Sequence, residues 1–284
     1  MTLKHKFDHV EELPCGSVIQ HGPYNDRIYL MKIADNYSKE LPHKLISMAD
    51  KNNYSKIFAK VPLEKAGCFI KAGYQVEASV PGLCNLDKGV FLAFYLKEER
   101  TQEDKVAIYA KNIALTLDVE KKQIPVLDSK RFFIRPCGAE DISSIVEIYK
   151  KVFLSYPFPI HSSEYIEETM RKNVDYFCVV ADDGIIALSS AEKDSSASNA
   201  EMTDFATLPE WRGNSLSAHL LKRMEDEVKT QGIKTAYTIA RAASPGMNIT
   251  FAKMGYSFGG RLINNTNISG TIESMNVWYK SLYS

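Results

Sequence analysis

Residues 204–217, Asp-Phe-Ala-Thr-Leu-Pro-Glu-Trp-Arg-Gly-Asn-Ser-Leu-Ser, constrain this chain more than any other stretch. A β-like run stops at Pro209, a basic turn of small residues follows, and an amphipathic helix begins at Leu216. Strand end, tight turn and helix start gather free backbone N–H groups around one point, where the helix dipole favours negative charge. Arg212 adds a permanent cation. The layout suits a diphosphate, held by Arg212 and by the N–H groups of Gly213, Asn214, Ser215, Leu216 and Ser217. Helix-start residues have negative φ and serine keeps its N–H, so both serines are expected to serve there without strain.

The flanking pattern is regular. In the C-terminal half, strands are expected at Arg131–Arg135, Tyr176–Ala181, Ile185–Ala191, Glu201–Leu208, Lys234–Ala240 and near 256–263 and 271–280. Helices are expected over 138–154, 162–172, Leu216–Lys229 and 245–254, each from apolar residues at 3.6-residue spacing or from its flanking breakers. Asp182-Asp183-Gly184 is a hairpin turn. The charged, proline-containing segment 118–130 separates this half (130–284) from an N-terminal half (1–118).

Composition excludes several classes. Lys+Arg and Asp+Glu both total 35, so no polyanion-binding bias exists and nucleic acid is not an expected partner. No run of about 18 apolar residues is present, so no membrane-spanning helix is expected. The N-terminus lacks an apolar signal core. Five scattered cysteines without a Cys-x-x-Cys fit reduced thiols in a cytoplasm. The Asn-x-Ser/Thr triplets at Asn36, Asn53, Asn248 and Asn267 are then accidental. His5 and His9 have i, i+4 spacing, but no third ligand lies nearby in sequence, so no metal is expected.

The stretch Arg212-Gly213-Asn214-Ser215-Leu216-Ser217 resembles the acyl-CoA pyrophosphate loop of the GCN5-related N-acetyltransferases (GNAT), (Gln/Arg)-x-x-Gly-x-(Gly/Ala), with serine at both glycine-type positions. The order β–α–α–β–β–β–α–β–α–β–β is similar to the mixed-sheet α/β acetyltransferase fold across the C-terminal half. Further segments resemble the β-lysine N-acetyltransferase family: 20–31, Lys56–Pro62, Tyr156–Ile160, Glu201–Pro209 and Glu273–Trp278. The resemblance implies acetyl-CoA as co-substrate, without metal, and β-lysine as a small-molecule amine acceptor. The product would be Nε-acetyl-β-lysine, a compatible solute for osmoadaptation. A homodimer stays open. Cys68–Tyr74 echoes Thr250–Tyr256, each after a strand and a proline, so the N-terminal half reads as a degenerate partial copy. It lacks the basic turn after its strand Arg27–Ile33 and is expected to bind no acyl-CoA. A helix ending at glycine before a strand is also common punctuation.

Amine acetylation needs a polarised carbonyl, a neutral amine and a leaving thiolate. The resemblance implies that Phe205, Ala206, Thr207 and Leu208 hold pantetheine and the acyl oxygen, and Asn248 and Phe251 are assigned to the cofactor as well. An ordinary half-buried strand would read similarly over 205–208. A free alkyl amine arrives as ammonium, with a pKa near 10.4, so a carboxylate is needed; Glu201 and Asp204 are the candidates. At a spacing of three they are expected on opposite faces of the strand. Many relatives have a tyrosine where Phe251 stands, which leaves Tyr256 as a candidate acid or simply a core aromatic. Tyr156 and Phe158 are placed to wall the acceptor site. Asp26 and Arg27 are candidates for gripping the far end of the substrate, although Pro23–Asp26 also reads as a plain turn. Glu273 is a further substrate candidate. Readings left open are another amine, such as a polyamine or a protein N-terminus, and a non-catalytic acyl-CoA-binding module.

Overall fold

A computed structural model describes residues 8–117, 124–182, 184–268 and 270–283. His5, the 118–123 part of the expected boundary and Asp183 of the expected turn lie outside them. The N-terminal half runs β1 (His9–Glu12), β2 (Val18–Gly22), β3 (Arg27–Lys32), α1 (Leu41–Lys51), β4 (Lys56–Pro62), α2 (Ala66–Lys71), β5 (Gln75–Gly82), β6 (Leu86–Tyr95) and α3 (Val106–Leu117). The C-terminal half runs β7 (Phe133–Pro136), α4 (Ile142–Val152), α5 (Ser163–Lys172), β8 (Val174–Ala181), β9 (Gly184–Asp194), β10 (Asn199–Thr207), α6 (Leu216–Thr230), β11 (Thr235–Arg241), α7 (Pro245–Lys253), β12 (Ser257–Ile268) and β13 (Thr271–Ser281).

Among the described residues thirteen strands form one sheet, in the order β1-β2-β3-β4-β6-β5-β12-β13-β11-β10-β9-β8-β7. The order through β1–β6 repeats in β8–β13, and each half has one parallel pair, β3 with β4 and β10 with β11. The segments that echo one another in sequence occupy equal places. Tyr74 N–H donates to Phe69 O at 3.1 Å and Tyr256 N–H to Phe251 O at 3.0 Å, with Gly73 (φ 96) and Gly255 (φ 83) making the left-handed turn between. These are glycine-dependent helix C-caps of one design.

The halves join where β5 meets β12, paired at Gly260↔Ala78. A Cβ on Gly260 would stand 2.2 Å from Glu77 O, and one on Gly259 2.8 Å from Ser79 O. Only glycine permits that approach. Apolar side chains close the seam, among them Phe58, Val80, Phe91, Tyr237, Leu262 and Val277.

In the C-terminal half, the expected apolar stripe of α6 (Leu216, Leu220, Leu221, Met224, Val228) is buried against Met202, Ala236 and Ala240. On the opposite face α4 buries Ile145, Val146, Ile148 and Tyr149 against Leu188 and Ala206. The sheet is thus covered on both sides beside β10, and the strand's own irregularities decide where it opens.

Candidate active site

β10 and β11 are parallel neighbours only from Asn199↔Thr235 to Glu201↔Tyr237, although the strands continue to Thr207 and Arg241. Beyond that point they diverge. On its other edge β10 carries a bulge: Thr203 pairs with Ser190 but Ala206 with Leu188, so β10 spends one residue more than β9. Asp204 sits there with φ 56. A bulge of this kind bends the strand and re-aims a side chain. The cleft left by the divergence is a groove of about 810 Å3, lined by Phe205, Thr207, Arg212, Gly213, Ser215, Leu216, Ser217 and Phe251, with Thr238–Arg241 and α7 along its other wall.

At the groove's end the turn 212–215 enters α6. None of the backbone N–H groups of residues 213–217 donates to another group among the described residues. Five free amides at the start of a fifteen-residue helix are the set of donors that an anion cradle requires. Ser215 departs from expectation. It has φ 57, left-handed, and Gly213 has φ 88; the turn needs two left-handed residues to aim the amides outward, and only one of them is glycine. Ala206, Leu208 and Asn214 do not line the groove: Ala206 packs into the α4 core, Leu208 against it, and the Asn214 side chain donates to Trp211 O at 3.0 Å. Asn248 is also corrected. Its amide donates to Arg241 O and Ser244 O (3.0 and 2.6 Å), while its Oδ1 accepts from Asn276 and Trp278 (2.8 and 2.9 Å), so it fastens α7 to β11 and β13.

A second, smaller cavity of about 110 Å3 opens off the groove. Both cavities are lined by Tyr156, Thr203, Asp204, Ile239, Ile268 and Met275, which mark the junction. The smaller one is walled by both halves of the chain: Arg27, Tyr29, Phe58 and Lys60 from the first, Phe158, Ser190, Glu192, Glu201 and Tyr237 from the second. Glu201 and Asp204 are not on opposite faces as expected. The bulge that begins at Asp204 re-aims its side chain, and both line this cavity. Asp204 accepts from the Tyr156 hydroxyl, from Ser190 Oγ at 2.5 Å and from Thr203 Oγ1 at 3.4 Å. Burial raises its pKa against those three hydrogen bonds, which lower it.

Glu201 stands opposite Glu192 on β9. Burial first, and then the Glu192 charge, push the Glu201 carboxyl up to about 7. Two carboxylates directly opposite one another repel, and among the described residues no cation forms an ion pair with either: Lys60 Nζ is hydrogen-bonded at 3.3 Å to the Tyr237 hydroxyl, which in turn bonds Glu201. For Lys60 the cost of burial is outweighed by Tyr29 and by the carboxylates of Glu192, Glu201 and Asp194, so its pKa rises.

Arg27 is 3% exposed. One guanidinium nitrogen donates to Asn265 O and to Thr266 Oγ1 (3.2 Å to the latter), Nε has no partner, and no carboxylate lies within 4.0 Å among the described residues. The group lies over the Tyr29 and Phe58 rings at 5.5 and 5.4 Å. Burial pulls its pKa down to about 10. A buried cation without a counter-ion is costly and marks where an anion belongs.

Three other expectations fail on position. Asp26 points away from the cavity, to Arg100 at 3.4 Å. Glu273 is buried and held by Arg241 (2.9 and 3.0 Å) and Lys105 (3.3 Å). Tyr256 lies in the core beneath α6 with its hydroxyl toward Glu225 and lines neither cavity, which removes it as a thiolate acid. Sequence reasoning missed Lys60, Glu192, Tyr237 and Ser190. Each sits in an unremarkable strand, and only an unexplained charge amid apolar strand residues flags Lys60 and Glu192.

Residues 142–256 match the model of the acetyltransferase (GNAT) family. The chain is 38% identical over 270 residues, 93% of its length and 96% of the relative's, to the β-lysine N6-acetyltransferase of Methanococcus maripaludis. It is 33% identical to the N-acetyltransferase YodP of Bacillus subtilis, over 94% of its length and 96% of the relative's. A β-lysine N6-acetyltransferase of Methanosarcina mazei is 39% identical over 57% of this chain and 59% of its own.

Proposed function

Because this chain belongs to the GNAT family of N-acetyltransferases, in the branch that includes the β-lysine N6-acetyltransferase of M. maripaludis, we propose that it transfers acetyl from acetyl-CoA to the ε-amine of β-lysine. Acetyl-CoA supplies an activated thioester carbonyl. The free amides of residues 213–217, with Arg212, suit its pyrophosphate, and the open edges of β10 and β11 suit the pantetheine arm. Phe251 in place of a tyrosine leaves no hydroxyl for the departing thiolate, which is a tolerable leaving group unprotonated.

The observation that carries the acceptor reading is the charge layout of the shared cavity. β-Lysine has two ammonium groups and one carboxylate, and a selective pocket needs both signs. Arg27, buried without a counter-ion, offers the carboxylate a partner. Glu192, Glu201 and Asp204 face the ammonium groups. With the carboxylate end held at Arg27, the β-ammonium is kept from the junction and the extended chain brings the ε-amine to it, an orientation effect worth several kcal/mol. Asp204, held by Tyr156 and Ser190, positions the ε-ammonium there. Glu201, with a carboxyl pKa near 7, is poised to accept its proton. Lys60 and Tyr237 orient Glu201 through their hydrogen-bond chain. The N-terminal half, a degenerate copy in this reading, supplies specificity instead of chemistry. The product keeps one ammonium and one carboxylate and suits a compatible solute of the cytoplasm.

An acceptor panel of β-lysine, α-lysine, 1,5-diaminopentane and spermidine tests this, with product fragmentation to locate the acetyl group. β-Lysine acetylated at the ε-nitrogen is expected to lead. Preference for amines without a carboxylate, or acetylation at the β-nitrogen, would overturn it.

A further inference from the structure

The register of the first hairpin brings His21 beside two potential ligands of β1, His9 and Glu11. His9 on β1 pairs directly with His21 on β2, and Glu11 lies two residues along β1, on the same face as His9. One ligand atom from each of His9, Glu11 and His21 lies within 4.8 Å of the others. The expectation that His9 has no further ligands nearby is therefore overturned by strand pairing.

We infer that His9, Glu11 and His21 form a binding site for a divalent transition-metal ion of the zinc class, independent of acetyl transfer. The second observation is at His21, which is 6% exposed. Its Nδ1 is 3.1 Å from the Tyr54 hydroxyl. Its Nε2 is buried with no hydrogen-bond partner, although Glu11 Oε1 stands 3.3 Å away. With the Nδ1 proton given to Tyr54, the Nε2 lone pair faces a carboxylate oxygen. Two acceptors then confront one another with nothing between them, a contact that a cation converts from repulsive to attractive. The bond from the second ring nitrogen to a fixed hydroxyl is how metal-ligating histidines are oriented. His9 is exposed and Glu11 partly so, so both can rotate to the roughly 2 Å ligand distances of zinc. Two imidazoles and one carboxylate exclude magnesium and calcium, which take oxygen ligands.

Such an ion would act as a staple. Among the described residues β1 is the edge strand and pairs only with β2. Asp8, next to His9, accepts from Tyr24 N–H at 2.9 Å and from the Asn25 amide at 2.6 Å, in the turn that leads to Arg27. Fixing β1 would fix that turn.

The test uses full-length, untagged protein stripped with a chelator and titrated with Zn2+ alone by calorimetry and thermal melting. One Zn2+ per chain, with affinity at or tighter than about 10 µM and a melting temperature that rises and returns on chelation, is expected. The surface variants His9→Gln and Glu11→Gln should each weaken binding at least about tenfold, while exposed His43→Gln changes nothing. Co2+ should give visible absorption that His9→Gln abolishes. No saturable binding below about 100 µM Zn2+, or binding undiminished in the His9→Gln/Glu11→Gln double variant, overturns the site.

Discussion

The segments β1–β6 and β8–β13 share an element order and differ at one joint. β3 and β4 stay paired from Arg27↔Lys56 to Leu30↔Ala59 without a bulge between them, whereas β10 and β11 part after Glu201↔Tyr237, and β10 bulges at Asp204. The helices that follow differ in the same sense. Near the start of α1, Leu41 N–H donates to Ser38 O and Glu40 N–H to Ser38 Oγ, and Pro42 has no N–H to give. Ahead of α6, five amides are left free. A closed pair with a self-satisfied cap is a stable scaffold but offers no backbone to a ligand. An opened pair with an unsatisfied cap offers backbone groups and needs support, which here comes from helices on both faces. The closed half then contributes side chains: Arg27 and Lys60 leave it to line the other half's cavity.

Removing the carboxylate of the open half should have the largest effect. Glu201→Gln is expected to lower kcat about 10²-fold or more, with acetyl-CoA affinity retained, as for loss of a general base. Only ionised Glu201 can accept a proton. Wild-type kcat/KM should therefore fall about tenfold per unit as pH drops below about 7, a limb that belongs to the Glu192/Glu201 pair and disappears in Glu201→Gln. If Asp204→Asn alone removes the limb, the base is Asp204.

Next comes the cation of the closed half. Arg27→Met should raise KM for β-lysine about 10²-fold, the scale of a lost charge-assisted pair, while 1,5-diaminopentane, which has no carboxylate, is acetylated within about twofold of the wild-type rate. Equal losses for both acceptors would reduce Arg27 to a structural residue and return specificity to the open half.

The cofactor cradle is expected to matter less. Arg212→Ala should weaken acetyl-CoA binding by about 1.5–3 kcal/mol. Calorimetric stoichiometry should stay at one per chain, because the closed half has no counterpart to the cradle. A second equivalent would break the contrast between the halves.

The smallest effect tests the turn itself. A serine held left-handed costs about 1–2 kcal/mol that glycine avoids, offset by the unfolded-chain entropy glycine adds. Ser215→Gly should accordingly stabilise the protein by about 0.5–1 kcal/mol in urea unfolding, with acetyl-CoA binding intact. Destabilisation would mean that the Ser215 side chain has a task of its own.

How much was legible follows from range. The α6 stripe from Leu216 to Val228, the breaker Gly232 and the turn at 212–217 are written in contiguous residues, so helix, stop and turn could be read directly. Phe251 and Tyr156 were placed at the site by family pattern. Asp204 was misplaced because a bulge leaves alternation in sequence unchanged while reversing it in space. Asn248 and Glu273 carry hydrogen-bonding side chains that serve a ligand or a neighbouring strand equally well, and only their partners distinguish the two.

The sequence by itself thus determined the acetyltransferase fold and element order of the C-terminal half and the basic turn that leads into α6, since local periodicity, turn chemistry and caps act over a few residues. Tertiary structure decided that thirteen strands share one sheet, that Glu192 faces Glu201, that Arg27 and Lys60 reach a cavity whose acids lie more than a hundred residues away, and that His9 meets His21. Those pairings depend on strand register and on the close approach at Gly260, where distant backbones meet. No single stretch of chain encodes such a meeting, because it is fixed only when the whole sheet assembles.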